Sequence, residues 1–407
     1  MANQPACRFC SSPLNEVFAD LGVSPLANSY LREEQLSNME PHYPLKAWVC
    51  GSCMLVQLEE FESPAGIFSD YAYFSSFSTS WLAHAERYVQ DMMTRFGFDS
   101  RSQVIEIASN DGYLLQYFHA AGVPVLGIEP AANVAQAAIA KGIPSRSVFF
   151  GRDTARELEA DLLIGNNVYA HVPDLHSFTE GLKIALKPDG LITLEFPHLL
   201  RLMDEAQFDT IYHEHFSYLS LMTVQKVFAR HGLTVFDVEE LPTHGGSLRI
   251  YGQHAENTKR EVTSRVEALL AQERAAGLDH LDAYRSFAEK VKRVKCDVLQ
   301  FLINARREGK TVAGYGAPAK GNTLLNYCGI GPELVSFTVD RSPHKQGHYL
   351  PGTRIPIRGP EAIGQARPDY VLILPWNLKD EITEQMKEIR SWGGRFVVAI
   401  PSLEVLA

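Results

Sequence analysis

Val104-Ile-Glu106-Ile-Ala108-Ser-Asn110-Asp-Gly112-Tyr113-Leu-Leu-Gln-Tyr-Phe118 decides how this chain folds. Its first residues make a short apolar strand and its last a helix, with small and polar residues turning between them. Ala108, Asn110 and Gly112 stand at alternate positions of that turn. Gly112 accepts positive φ freely, Asn110 tolerates it better than most residues, and Ala108 still lets backbone come close to a ligand. Further strands are predicted at Val125–Glu129, Asp161–Gly165 and Leu191–Phe196, with helical stretches between them. An amphipathic helix over residues 80–98, with Trp81, Leu82, Tyr88, Val89 and Met92 on its apolar side, precedes the set. This βα alternation predicts a largely parallel sheet covered on both faces, an α/β Rossmann-like fold.

The alternation restarts near the C-terminus. Thr311–Gly316 is a strand and glycine turn, and strands are expected at Leu334–Asp340, Tyr370–Leu374 and Arg395–Ile400. They make a second, smaller Rossmann-like unit. Residues 256–310, rich in Glu, Lys, Arg and Ala, read as long helices joining the halves. With 407 residues the chain is divided into residues 1–65, 66–255 and 256–407. It is 45% hydrophobic and 21% charged, and no apolar run reaches the ~20 residues of a membrane span. The net charge of −10 argues against a nucleic-acid surface. The N-terminus lacks a basic-then-apolar leader, so a cytoplasmic protein is expected.

Cys7-x-x-Cys10 and Cys50-x-x-Cys53 are paired in turn-like sequence, with few apolar residues around them for a core. Four thiolates fill a tetrahedral Zn²⁺ and leave no open position, so a structural zinc is expected. Cys296 and Cys328 stand apart and read as ordinary buried thiols.

The spacing of Glu106, Ala108, Asn110 and Gly112 resembles the glycine turn of S-adenosylmethionine (SAM)-dependent class I methyltransferases, with only the last glycine kept. Glu129, ending the second strand, is placed to accept hydrogen bonds from ribose hydroxyls. Asn166 and Asn167 end the third strand at the same rim. Leu186–Gly190 resembles the helix-end turn that precedes the next strand in such enzymes. A dinucleotide dehydrogenase has the same acid but a fuller glycine pattern.

Tyr212-His-Glu214-His215-Phe-Ser-Tyr218 packs imidazoles, phenols and a carboxylate into seven residues. His215 or His213 suits a general base, Glu214 a group that orients or charges it, and Tyr212 an oxyanion donor. Here the chain resembles the sugar C-methyltransferases that act on nucleotide-linked ketosugars. The marks are Tyr212–His215, Thr243-His-Gly-Gly-Ser247-Leu-Arg249, Gly314-Tyr315-Gly-Ala-Pro-Ala-Lys320-Gly-Asn322, Pro375-Trp376-Asn377, and Tyr73-Phe-Ser-Ser76 before the SAM domain. The resemblance implies His215 as base beside Tyr212 and Glu214, with Tyr73 and Ser76 toward SAM. The substrate is expected to be an NDP-4-ketohexose methylated at C3. Lys320 and the backbone of its loop suit a diphosphate, with Tyr315 and Asn322 in that loop and Trp376 nearby. Asp340, His244, Ser247 and Arg249 are expected to reach the sugar or its phosphates. A zinc-bearing scaffold with a dead methyltransferase core, or a methyltransferase for another acceptor, is the competing reading. The oligomeric state is not legible.

Overall fold

A computed structural model describes residues 4–68, 75–77 and 79–406. The seven-stranded central sheet contains β4 (Val104–Ile107), β5 (Val125–Ile128), β6 (Ser145–Arg146), β7 (Ala160–Asn166) and β8 (Leu186–Pro197), followed by β10 (Leu233–Leu241) and β11 (Ser247–His254). Their order is β10-β11-β8-β7-β4-β5-β6. β4 to β8 are parallel, and β11 runs antiparallel to both β8 and β10. β4 is buried along its whole length, as a strand covered by helices on both faces must be. The helix Thr79–Phe96 lays Ala85, Tyr88, Val89 and Met92 against this domain.

The sequence reading lacked the antiparallel pair. β10 carries Asp237, Glu239 and Glu240, which blur its alternation. The fold neutralises Asp237 with Arg95 and Arg265. Leu186–Gly190 is also corrected: β8 is extended from Leu186, directly after the helix Leu175–Ala185.

The N-terminal module is a four-stranded sheet of β1 (Glu16–Ser24), β2 (Tyr43–Val49), β3 (Val56–Leu58) and β9 (Ser217–Tyr218), so the Tyr212–Tyr218 stretch itself supplies its last strand. The expected shortage of apolar residues does not hold. Phe18, Leu45, Val49 and Val56 belong to one core with the C-terminal half, and Phe18 stacks on Phe287 at 4.4 Å. Phe287 opens the long helix Phe287–Arg307 that joins the halves.

The third sheet takes β12 (Val312–Tyr315), β13 (Thr338–Val339), β14 (Ile357–Arg358), β15 (Tyr370–Ile373), β16 (Arg395–Val398) and β17 (Glu404–Leu406) in the order β14-β13-β12-β15-β16-β17. All neighbours are parallel except β17, which is antiparallel to β16. Of the two lone cysteines, Cys328 is buried but Cys296 is exposed, which corrects the sequence reading. Among the described residues, no helix is long and apolar enough to cross a membrane.

Candidate active site

The two cysteine knuckles meet. Cys7 Sγ lies 3.6 Å from Cys53 Sγ and Cys10 Sγ 3.5 Å from Cys50 Sγ, and all four sulfurs fall within 4.8 Å of one another. Tetrahedral zinc with ~2.3 Å bonds sets its sulfurs roughly 3.8 Å apart, so the cluster fits the ion. The Gln57 amide donates to Cys7 Sγ at 3.2 Å and the Ser52 N–H to Cys50 Sγ at 3.4 Å, outer hydrogen bonds of the kind that steady thiolate ligands.

The main cleft has a volume of about 1220 Å³ and lies between the central sheet, the N-terminal module and the C-terminal domain. One ligand usually occupies ~300–1,000 Å³, so a cofactor and a second molecule have room together. At the C-terminal ends of the strands, the turn after β4 takes left-handed backbone at Ala108 (φ 55°), Asn110 (φ 50°) and Gly112 (φ 76°). All three alternate positions therefore have the conformation that glycine favours, although two are not glycine. Ala108 and Asn110 line the cleft, whereas Gly112 sits behind them against Ile143.

Glu129 lines the cleft at the tip of β5. Its two oxygens accept the N–H groups of Asn110 (3.0 Å) and Ala131 (2.9 Å), which fixes the carboxylate and leaves each oxygen a further lone pair. Burial raises its pKa, and those two N–H bonds oppose the shift. Asn166 is buried in the cleft wall, and neither polar atom of its side chain finds a hydrogen-bond partner in the protein. An orphaned amide at this rim fits a polar ligand.

Glu106 differs from its expected place. It lies beneath the turn, outside the cleft wall, and burial drives its pKa well above the carboxylate range. Ser76 also faces elsewhere, accepting from Lys141 at 3.0 Å, while its neighbour Ser75 lines the cleft and donates its N–H to Asn110. Tyr73 lies outside the described residues.

Across the cleft, His215 Nδ1–H donates to the Thr210 carbonyl at 2.8 Å, and Nε2 accepts from the Tyr212 hydroxyl at 2.9 Å. That pair of bonds selects the neutral tautomer with its lone pair on Nε2. Burial, with His171 nearby, holds the imidazole pKa well below its usual value. Both nitrogens are engaged, so Glu214 does not orient His215 directly; its Oε1 instead accepts from Asn28 Nδ2 at 2.6 Å. His213 leaves the site altogether, with Nε2 3.1 Å from the Pro44 carbonyl.

His244 lines the cleft in left-handed backbone (φ 57°), and Asn167 Nδ2 donates to its Nε2 at 3.2 Å. Burial, and then the charge of Lys320, lower its pKa to about 4. Lys320 donates to the His244 carbonyl at 2.9 Å and stands over the Trp376 ring. Arg249 lines the cleft too, but its guanidinium is spent on Glu195, which also meets His84 Nε2 at 3.0 Å. Burial alone would push the Glu195 carboxyl up, yet Arg249 and His84 hold it below its usual range.

Five expected substrate residues face away from the main cleft. Ser247 donates to the Thr243 carbonyl and, with Trp376, lines a smaller neighbouring cavity of about 490 Å³. Trp376 Nε1 donates to buried Asp209 at 2.7 Å, tying the C-terminal domain to the central one. Tyr315 donates to Gln385, and Asn322 donates to the Ala27 carbonyl at 2.6 Å. Asp340 holds the Lys320 loop by accepting from Ala317 N, rather than facing the cleft. Conversely His84, Asn28, Tyr30 and His171, and Trp81, which was read only as part of a helix's apolar side, line the cleft without having been expected there. Only Trp81 and His84, three apart on the inner side of one helix, carried a signal.

Three family models match successive parts of the chain: a "Putative zinc binding domain" over residues 7–68, a "Methyltransferase domain" over 81–238 and a "C-methyltransferase C-terminal domain" over 242–401. C-methyltransferase NovU of Streptomyces niveus is 38% identical over 406 residues, covering 98% of this chain and 96% of its own. This chain belongs to the C-methyltransferase family. It is accordingly a SAM-dependent methyltransferase with a zinc-binding module. Among solved structures, magnesium protoporphyrin IX methyltransferase from Synechocystis PCC 6803 is 12% identical over 42% of this chain and 78% of its own, with a TM-score of 0.34. A SAM-dependent methyltransferase of Clostridium acetobutylicum is 10% identical over 42% of this chain and 92% of its own, with a TM-score of 0.35. Both likenesses are too slight to argue from.

Proposed function

We propose that this enzyme methylates the carbon beside the ketone of a nucleotide-linked 4-ketohexose, at C3, with His215 as general base. The observation that carries the reading is the neutral His215 imidazole, which lines the cleft and whose Nε2 accepts from Tyr212. Carbon beside a ketone is a weak acid, and losing its proton makes it a nucleophile. As the Tyr212 hydroxyl turns from Nε2 to the ketone oxygen, the freed Nε2 lone pair takes that proton, and the Thr210 carbonyl steadies the imidazolium through Nδ1–H. The electrons move to the ketone oxygen, where the Tyr212 hydroxyl is at hand to donate. Bound SAM supplies the electrophilic methyl group.

Asn110, Glu129 and Asn166 are assigned to the cofactor, with Ala108 letting the backbone approach it. Lys320, Pro318 and Ala319 put a cation and a loop at the C-terminal side of the same cleft, where a diphosphate is expected. Burial lowers the Lys320 pKa, against the charge of Asp209, so an incoming anion would favour its ammonium form. His244 is assigned to the sugar.

Proton abstraction does not need a methyl donor. With S-adenosylhomocysteine in the cofactor site, the enzyme should exchange the proton beside the ketone with solvent deuterium, seen by NMR of the ketosugar in D₂O. His215→Asn should lose exchange and methylation together, by at least ~10²-fold, and still bind SAM. Full exchange by that variant would remove His215 from the role. No exchange by the wild type on any nucleotide ketosugar would remove the substrate class.

A further inference from the structure

The catalytic stretch is gripped by the zinc-carrying module at several successive points. Asn28 Nδ2 donates to Glu214 Oε1 at 2.6 Å. His213 meets the Pro44 carbonyl, and its ring packs edge-on against Tyr43. Leu58 N–H donates to the Phe216 carbonyl at 3.1 Å, and β9 pairs with β3 through Val56–Tyr218 and Gln57–Ser217. β3 begins three residues after the zinc ligand Cys53. The metal knuckle and the segment bearing His215 are thus joined through one short strand.

The module also reaches the opposite wall. Tyr30 donates to the Ala317 carbonyl at 2.6 Å and lies 3.2 Å from Asn28 Oδ1. Lys345 donates to the same carbonyl at 2.9 Å, with its ammonium over the Tyr30 ring. Asn28 and Tyr30 both line the cleft. A continuous path runs from Glu214 through Asn28 and Tyr30 to the loop that carries Lys320.

We propose that the zinc module is part of the catalytic apparatus, with Asn28 and Tyr30 as positioning residues. Asn28 acts through Glu214 on the turn that brings Tyr212 to His215, a turn closed by His215 N–H donating to the Tyr212 carbonyl at 2.9 Å. Tyr30 acts through Ala317 on the Lys320 loop. The inference about Tyr30 rests on the substrate reading above, whereas that about Asn28 concerns the geometry of His215 and can be read without substrate.

The test uses full-length enzyme with ¹⁵N-labelled histidine, and His215→Asn assigns the His215 resonances. Wild type should show Nδ1 protonated and Nε2 as a hydrogen-bond acceptor. Asn28→Ala should shift or broaden the His215 Nε2 signal at unchanged zinc content and SAM affinity, and lower kcat by about 10- to 100-fold with little change in KM. Asn28→Asp is nearly isosteric and guards against misfolding. It sets two carboxyls against each other, and such a pair holds one proton with a raised pKa. Its kcat should therefore fall as pH rises through that value, an alkaline limb that wild type and Asn28→Ala lack. Tyr30, Lys345 and Asp340, the other titratable groups facing this point, are common to all three proteins. Tyr30→Phe should raise the KM for the sugar substrate about 2- to 10-fold, the loss of one neutral hydrogen bond, with kcat held. An unmoved His215 signal in Asn28→Ala, or a profile for Asn28→Asp without the new limb, would overturn the role of Asn28. An unchanged KM in Tyr30→Phe would overturn that of Tyr30. A wild type inactive on ketosugars overturns the substrate reading and the role of Tyr30 with it, and leaves the His215 readout standing.

Discussion

Gly112 shows how little freedom the cofactor turn has. Its φ is 76°, and an added Cβ would come within 3.0 Å of Ile143. Gly112→Ala should therefore destabilise the protein by about 1–3 kcal/mol through left-handed strain and contact, measurable by denaturant unfolding. Ala108→Gly, at φ 55°, should be tolerated, because glycine relieves the strain at a similar entropic cost. The histidines of the cleft set a pH dependence. Burial lowers the pKa of His171 to about 4, as burial and Lys320 do for His244. Both are neutral in the folded protein and protonate near pH 6.5 once unfolded. Below that pH the unfolded chain binds more protons, so stability falls as pH drops from about 6.5 to 4. The loss is on the order of 3 kcal/mol for each histidine at the acid end. Urea titrations at stepped pH check this, and His171→Asn should flatten the slope.

At the scale of elements, the join between the central and C-terminal domains depends on a few polar anchors set in apolar surroundings. Trp376, in the segment after β15, reaches Asp209, whose carboxyl is buried and raised in pKa by that burial. Trp376→Phe keeps an aromatic ring, though a smaller one, and leaves the acid without this donor. The expected cost is about 1–3 kcal/mol, with a rise in KM as the neighbouring Lys320 loses its aromatic neighbour's full face. Thermal unfolding with parallel kinetics checks both. Unchanged stability would mean that Asp209 finds another donor. The Thr243–Gly246 turn is held just as tightly, since a Cβ on Gly245 would strike the Trp376 ring at 2.4 Å.

On the scale of the whole molecule, the zinc module, the central sheet and the C-terminal domain share one cleft, and the module's core merges with that of the C-terminal half. Protein purified without added metal should carry about one zinc per chain by elemental analysis. Cys53→Ser should lower zinc content and thermal stability together, since loss of a structural zinc removes folding free energy. Because β3 follows Cys53 and pairs with β9 in the segment that bears His215, activity should fall before the central domain melts. A metal-free protein that keeps its melting temperature would end the structural-zinc reading.

The local signals proved readable where a rule acts over a few residues. The βα alternation marked β4, β5, β7 and half of β8, the paired cysteines marked the metal cluster, and the spacing of Ala108, Asn110 and Gly112 foretold a turn, which proves left-handed at Ala108 as well as at the other two. Each depends on periodicity, ligand count or backbone freedom, all of which are written along the chain. The antiparallel strand β10 escaped because its one buried acid, Asp237, is neutralised by arginines distant in sequence. Trp376, Asn322 and Tyr315 belong to the segments that carried the resemblance, yet their side chains hold domains and loops together, which no motif spacing reveals. Asn28 and Tyr30 sit in a stretch with no periodicity, 186 residues from Glu214 for the first and 287 from Ala317 for the second. The sequence determined which residues could do chemistry. The tertiary structure decided which of them meet, because a hydrogen bond depends on distance and direction in space, and separation along the chain sets neither.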